Sequence, residues 1–170
     1  WPDRLPQNAK KDELVCLADL FGIATHATGV TQTRDGIDVL GVVQGTSQPR
    51  KHLIGYYGTP GTNHFKIMVR DEQWKYIYFS NGDREQLFQM NHDPDEITNQ
   101  ADTRRDVVSR LRSVGVEACG HPGALDALEG GTFRGFKYTP HRRGRIYQFD
   151  RSRGVTGFPD RPEDLLKKQG

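Results

Sequence analysis

With 34% hydrophobic side chains in 170 residues, the chain can enclose one modest core, and 24 basic against 22 acidic groups leave a net charge of +2, too balanced to demand an anionic partner. No apolar run approaches the roughly 18 residues of a membrane-spanning helix, so no membrane partner is expected. The two cysteines, Cys16 and Cys119, lack the spacing of a paired metal or redox site.

The chain opens at Trp1-Pro2 without a Met, the pattern expected of a processed product or of a piece of something longer. Residues 1–13 are polar and hold Pro2 and Pro6, which predicts an extended surface lead-in. The apolar run at 14–18 predicts a short buried strand, with Asp19 as the N-cap of a brief helix carrying Leu20, Ile23, Ala24 and Ala27 and stopped by Gly29. Glycines punctuate residues 30–49, leaving room for one turn of helix at 37–43.

Residues 51–57 predict a strand. Beyond a Gly/Pro/Thr loop, the runs 64–70 and 74–80 predict a hairpin about Asp71, Glu72 and Gln73, and 85–90 a third strand of a meander. Apolar groups fall on both faces of this hairpin, which calls for a helix on one face and some other cover on the second. Val107, Val108, Leu111, Val114 and Ala118 supply that helix as one stripe, with Asp102 or Thr103 as its cap and Gly120 and Pro122 as its stop.

The fold expected is therefore α+β: an antiparallel sheet of about four strands packed by a helix over 102–119, then an irregular Gly/Arg-rich tail. Residues 1–120 form the subdomain and 121–170 the tail, with a short helix at 162–168. The strip 134–153 interleaves seven basic groups with Phe136, Tyr138, Tyr147 and Phe149. Such a strip can hold single-stranded nucleic acid, but a tail anchoring its aromatics on its own domain is preferred.

Residue patterns give no active site. The six histidines lack helical metal-pair spacing, Asn91, Asp93 and Asp95 form a calcium-loop fragment spoiled by Pro94, and Ser47-Gln48-Pro49-Arg50 has no base beside it. No catalytic and no metal-ligating residue is assigned.

Several short motifs in order carry a resemblance. Residues 14–29 are followed by Arg34-Asp35-Gly36. Then come Val69-Arg70, Trp74-Lys75-Tyr76-Ile77, Glu85-Gln86-Leu87-Phe88, Asp93-Pro94-Asp95-Glu96 and Asn99. The series resembles the C-terminal subdomain of type I, formylglycine-dependent sulfatases of the alkaline phosphatase-like superfamily, across roughly residues 1–118. Gln86 and Gln89 depart from the family's "ELYDL"-like strand.

The resemblance implies a parent that hydrolyses sulfuric esters with a formylglycine nucleophile and calcium. Neither appears in this chain, since Cys16 and Cys119 lack the following Pro-Ser-Arg context. It implies a non-catalytic segment that partners the parent's N-terminal catalytic domain and walls part of a pocket for a sulfated sugar or aryl sulfate. Tyr57, Thr59, His64 and Lys66 are the candidate substrate contacts. Exported relatives imply a periplasmic or secreted location. The alternatives are the same subdomain of a phosphonate or phosphate monoester hydrolase, and an independent module binding nucleic acid or sulfated glycan.

Overall fold

A computed structural model describes residues 5–30 and 35–140. Compactness divides the chain into Trp1–Tyr138 and Thr139–Gly170, and all but residues 139 and 140 of the second unit lie outside the described residues. The candidate helix at 162–168, together with Tyr147, Phe149 and the arginines of the basic strip beyond residue 140, falls there.

The first helix, α1 (Leu17–Ala27), corrects two expectations. Residues 14–18 form no buried strand: Val15 and Leu17 are 54% and 84% exposed, and Leu17 already belongs to the helix. Asp19 sits inside the first turn and is not the cap. Its carboxylate reaches back to accept the Cys16 N–H at 2.7 Å, so Cys16 takes the N-cap position. Periodicity alone places the start late because it does not see a carboxylate bonding backward. The helix stops as expected, Gly29 following the C-cap Thr28 with φ of +72°. A short α2 (Val39–Gln44) is capped by Asp38 and ends at left-handed Gly45.

Asp19 also fastens α1 to the segment between it and the sheet. It is 1% exposed, accepts the Ile37 N–H at 2.8 Å, and takes two hydrogen bonds of 2.8 and 2.7 Å from the Arg50 guanidinium. Arg50 donates again to the Leu14 carbonyl.

The sheet contains β1 (Leu53–Tyr57), β2 (Lys66–Arg70), β3 (Trp74–Phe79) and β4 (Arg84–Gln89), antiparallel and in chain order. Alternation decides its faces. Ile67, Val69, Trp74, Tyr76, Tyr78 and Leu87 point to one side and are buried against α3 (Arg105–Ala118). The helix begins after Arg104, with no side-chain cap from Asp102 or Thr103. Asp102 is instead hydrogen-bonded to Arg105. Within the stripe, Val107, Val108 and Leu111 are buried, and Gly115 marks the closest approach. A Cβ built there would stand 2.9 Å from Phe133 Cζ and 3.1 Å from Val69 Cγ2.

The small motifs turn out to be joints. Asp71 accepts the Gln73 and Trp74 N–H groups and closes the β2–β3 turn. Asp93 accepts the Ile97 and Thr98 N–H groups, and Glu96, with φ of +57°, pairs with Lys75 at 2.6 Å. Asn99 lies along the outer edge of β4: its Oδ1 accepts the Leu87 N–H and its Nδ2 donates to the Glu85 carbonyl.

Residues 121–138 hold more order than their composition indicates. A 3-10 turn (Leu125–Ala127) leads to a two-residue hairpin of β5 (Leu128–Glu129) and β6 (Thr132–Phe133), turned by Gly130 and Gly131 at φ of +58° and +80°. Phe133 stacks on Tyr78 at 4.5 Å. Phe136 bridges in parallel to Asn81. Strands this short leave no alternation to read.

Gly115→Val forces a branched side chain against Phe133 and Val69. Urea unfolding should show a loss of about 1–3 kcal/mol, and an unchanged midpoint would contradict the close approach.

Candidate functional site

The β1–β2 loop carries the residues singled out for substrate contact. Gly58, at φ of +78°, lets the neck close, for a Cβ there would lie 2.4 Å from the His64 carbonyl oxygen. Thr62 donates both N–H and Oγ1 to the Thr59 carbonyl, at 3.3 and 2.7 Å, and the His64 N–H donates to Thr62 Oγ1. Tyr56 ties the strand end to α3 by donating to the Ala118 carbonyl at 2.9 Å. Its ring meets His121 edge-on at 6.1 Å.

Of the four predicted residues, the structure brings Tyr57 and Lys66 into contact. They are cross-strand partners, and Lys66 Nζ lies 4.9 Å from the centre of the Tyr57 ring. Thr59 and His64 are exposed in the loop.

The register extends this pair into a row. Lys66 faces Phe79, and Phe79 faces Arg84. Lys66 Nζ is 5.4 Å from the Phe79 ring centre, while the Arg84 guanidinium carbon is 5.2 Å from Phe79 and 5.3 Å from Tyr138. Aromatic and cationic groups therefore alternate across the sheet face opposite α3, in van der Waals and cation–π contact. Phe79 and Arg84 are not singled out by the sequence, whereas Tyr138 belongs to the basic aromatic strip named there. Counting the register from the Asp71 turn pairs Phe79 with Lys66, Arg84 follows only from the next turn at residues 80–83, and Tyr138 comes from a distant segment.

Other charged groups are committed to the scaffold. Glu85 accepts two hydrogen bonds from Arg112, at 2.7 and 2.6 Å, and one from the Tyr76 hydroxyl at 2.6 Å. Burial works against the Glu85 carboxylate, but these donors hold it below its ordinary pKa. Burial, and then the bond to Glu85, raise the Tyr76 phenol well above its own. Asp71 is paired with Arg110 at 2.8 Å. Cys119 is buried, and desolvation pushes its thiol up to about 11, which keeps it protonated and a poor nucleophile. Among the described residues no group of three or more His, Cys, Asp or Glu side chains could hold a metal ion.

No family model matches the chain. Among curated proteins, it is 31% identical over 106 residues to choline-sulfatase of Rhizobium meliloti (strain 1021), a match covering 62% of this chain and 20% of that protein. It is 31% identical over 90 residues to human arylsulfatase G, covering 49% of this chain and 17% of that protein. This chain is a relative of the sulfatases. It spans no more than a fifth of the length of either curated relative, and that partial coverage fits a C-terminal subdomain. The fold agrees: the solved structure of a 2-O GAG sulfatase superposes with a TM-score of 0.57 at 18% identity, covering 75% of this chain and 34% of the other. No helix among the described residues is long and apolar enough to cross a membrane.

Hydrogen bonding from Arg50 lowers the Asp19 carboxyl far below its usual range, against the opposing pull of burial. A depressed folded pKa stabilises the fold above the unfolded value of about 3.9, and that contribution drains away as pH falls below it. Asp19→Asn should cost about 3–5 kcal/mol at pH 7 by leaving Arg50 without its charge partner. The variant should also lose less stability than the parent between pH 5 and pH 2. Parallel pH profiles in thermal unfolding would contradict this role.

Proposed function

We propose that this chain is the C-terminal subdomain of a sulfuric ester hydrolase, completing the fold of an N-terminal catalytic domain and walling part of its substrate pocket. The reading rests on the sulfatase relatives, and one structural observation carries the docking part of it. Helix α1 buries only Asp19, while Leu17 and Leu20 on one of its faces are 84% and 56% exposed and Phe21 is 53% exposed. Apolar side chains at helical spacing in water call for a covering surface, and the matched regions make up only 20% and 17% of the two curated relatives.

In this reading the chain is inactive alone. Its ion pairs hold the subdomain in shape, and the loop bearing Tyr57, Thr59, His64 and Lys66 meets a sulfated sugar or aryl sulfate at the pocket's rim. Formylglycine and calcium belong to the catalytic domain of the parent. Both curated relatives are sulfatases, which favours sulfate over phosphate or phosphonate esters as the parent's substrate.

The test compares Leu17→Glu/Leu20→Glu in two settings. In the 170-residue chain the double variant should change stability by less than about 1 kcal/mol, the range of two exposed surface substitutions. In the longer protein read from the same frame, it should lower the unfolding temperature by several degrees and reduce calcium-dependent hydrolysis of an aryl sulfate. Equal effects in both settings would refute the docking role. Efficient sulfatase activity of the 170 residues alone would refute the non-catalytic one.

A further inference from the structure

We propose that the outer edge of β1 joins this chain to a second copy of itself, strand against antiparallel strand, about a two-fold axis at Gly55. The proposal goes beyond the sulfate ester reading and does not depend on it.

The ladder decides which backbone groups are free. The Asp71 N–H donates to the Trp74 carbonyl and the Ser80 N–H to the Phe65 carbonyl, so the odd residues of β2 bond to β3 and the even ones face β1. Lys66, Met68 and Arg70 are opposite Tyr57, Gly55 and Leu53. Those three residues of β1 therefore turn their N–H and carbonyl groups inward, and Ile54 and Tyr56 turn theirs out. Among the described residues β2 is the strand neighbour of β1, and no turn, loop or side-chain hydrogen bond reaches the outward groups. The far edge differs, because Asn99 and the Gln100 N–H occupy the Glu85 carbonyl and both backbone groups of Leu87.

The strand also lacks the devices that guard an edge. Leu53-Ile54-Gly55-Tyr56-Tyr57 holds no charge and no proline, and its pairing with β2 runs without a bulge. Tyr56 and Tyr57 are 46% and 68% exposed.

Self-complementarity names the partner. With the two Gly55 residues face to face, Ile54 is opposite the partner's Tyr56 and Leu53 opposite the partner's Tyr57, and the symmetry repeats each pair. Ile54 and Tyr56 then exchange both backbone bonds, which satisfies every outward group of both strands. Moving the axis to Ile54 or Tyr56 sets strand residues opposite flanking turn residues instead. Aliphatic side chains facing aromatic ones are favourable across antiparallel strands. Lys51, the nearest charge along the chain, falls opposite the partner's Thr59, so no like charges meet.

The helices leave room for the seam. Helix α3 lies over β2 and β3. On the joined sheet the two copies of α3 would stand roughly 19 Å apart, clear of a helix diameter of about 10–12 Å. Since the β4 edge is filled, the association closes at two copies.

The experiment is sedimentation equilibrium of the 170-residue chain in reductant, which keeps Cys16 from adding a disulfide of its own. From about 1 µM to about 1 mM, the span in which small interfaces titrate, a monomer–dimer equilibrium with no larger species is expected. Amide exchange of Ile54 and Tyr56 should slow roughly tenfold as the dimer fills, while that of Gly55, already bonded to β2, stays unchanged. Gly55→Lys and Gly55→Glu each set like charges face to face at the axis and should weaken association about tenfold. A Cβ there would meet Met68 Cε at 3.3 Å, the far end of a flexible side chain, so both variants should fold. An equal mixture of the two should regain association as a mixed dimer. Leu17→Glu/Leu20→Glu should leave association unchanged, since α1 takes no part in it. A chain that stays monomeric, species larger than dimers, a mixture that associates no better than either variant, or association lost with the α1 variant would each overturn the seam. If a Gly55 variant fails to fold, amide protection of Ile54 and Tyr56 in the unaltered chain decides alone.

Discussion

A β-strand can give only every second side chain to a core, and this protein gives one full face of a four-stranded sheet to a single helix. The contact depends on an absence of bulk. Gly115 lets α3 settle close enough for Phe133 to wedge beneath it and stack on Tyr78. Once that side is closed, the charges nearest to it are drawn inward. Glu85, Arg112 and the Tyr76 hydroxyl satisfy one another at the rim of the helix, which is how a sheet residue and a helix residue of opposite sign coexist beside an apolar interior.

Two modes of attachment divide the described chain. Residues 53–138 are held by apolar burial, whereas α1 is held mainly through one carboxylate. Asp19 collects donors from residues 16, 37 and 50 and fastens the helix without consuming its apolar side chains. Leu17 and Leu20 therefore stay outside the core.

The sheet and α3 were legible in the sequence because their periods are strong. Strand alternation through Ile67, Val69, Tyr76 and Tyr78, the Asp71 turn, and the stripe Val107, Val108 and Leu111 all agree with their burial. The start of α1 was not legible. An apolar run of five residues suits a strand as well as a helix, and the deciding contact, Asp19 reaching Cys16, lies in the side-chain geometry. The hairpin containing Phe133 was missed because two-residue strands have no period. At the loop, the sequence named Tyr57 and Lys66 for their chemistry. Their joining with Phe79, Arg84 and Tyr138 depends on register and on a distant chain segment, neither of which composition records.

Asn99 lies beside β4 and occupies both a carbonyl and an N–H of that strand with one amide. The same edge receives the Gln100 N–H at the Leu87 carbonyl. A side chain imitating a neighbouring strand has the hydrogen-bonding value of that strand but cannot itself be extended, so it acts as a terminator of the ladder. The sheet is thus directional. Polymeric growth by strand addition, the common hazard of an open β-edge, is blocked along β4 by Asn99 together with the Gln100 N–H, both written into the turn beyond the last strand.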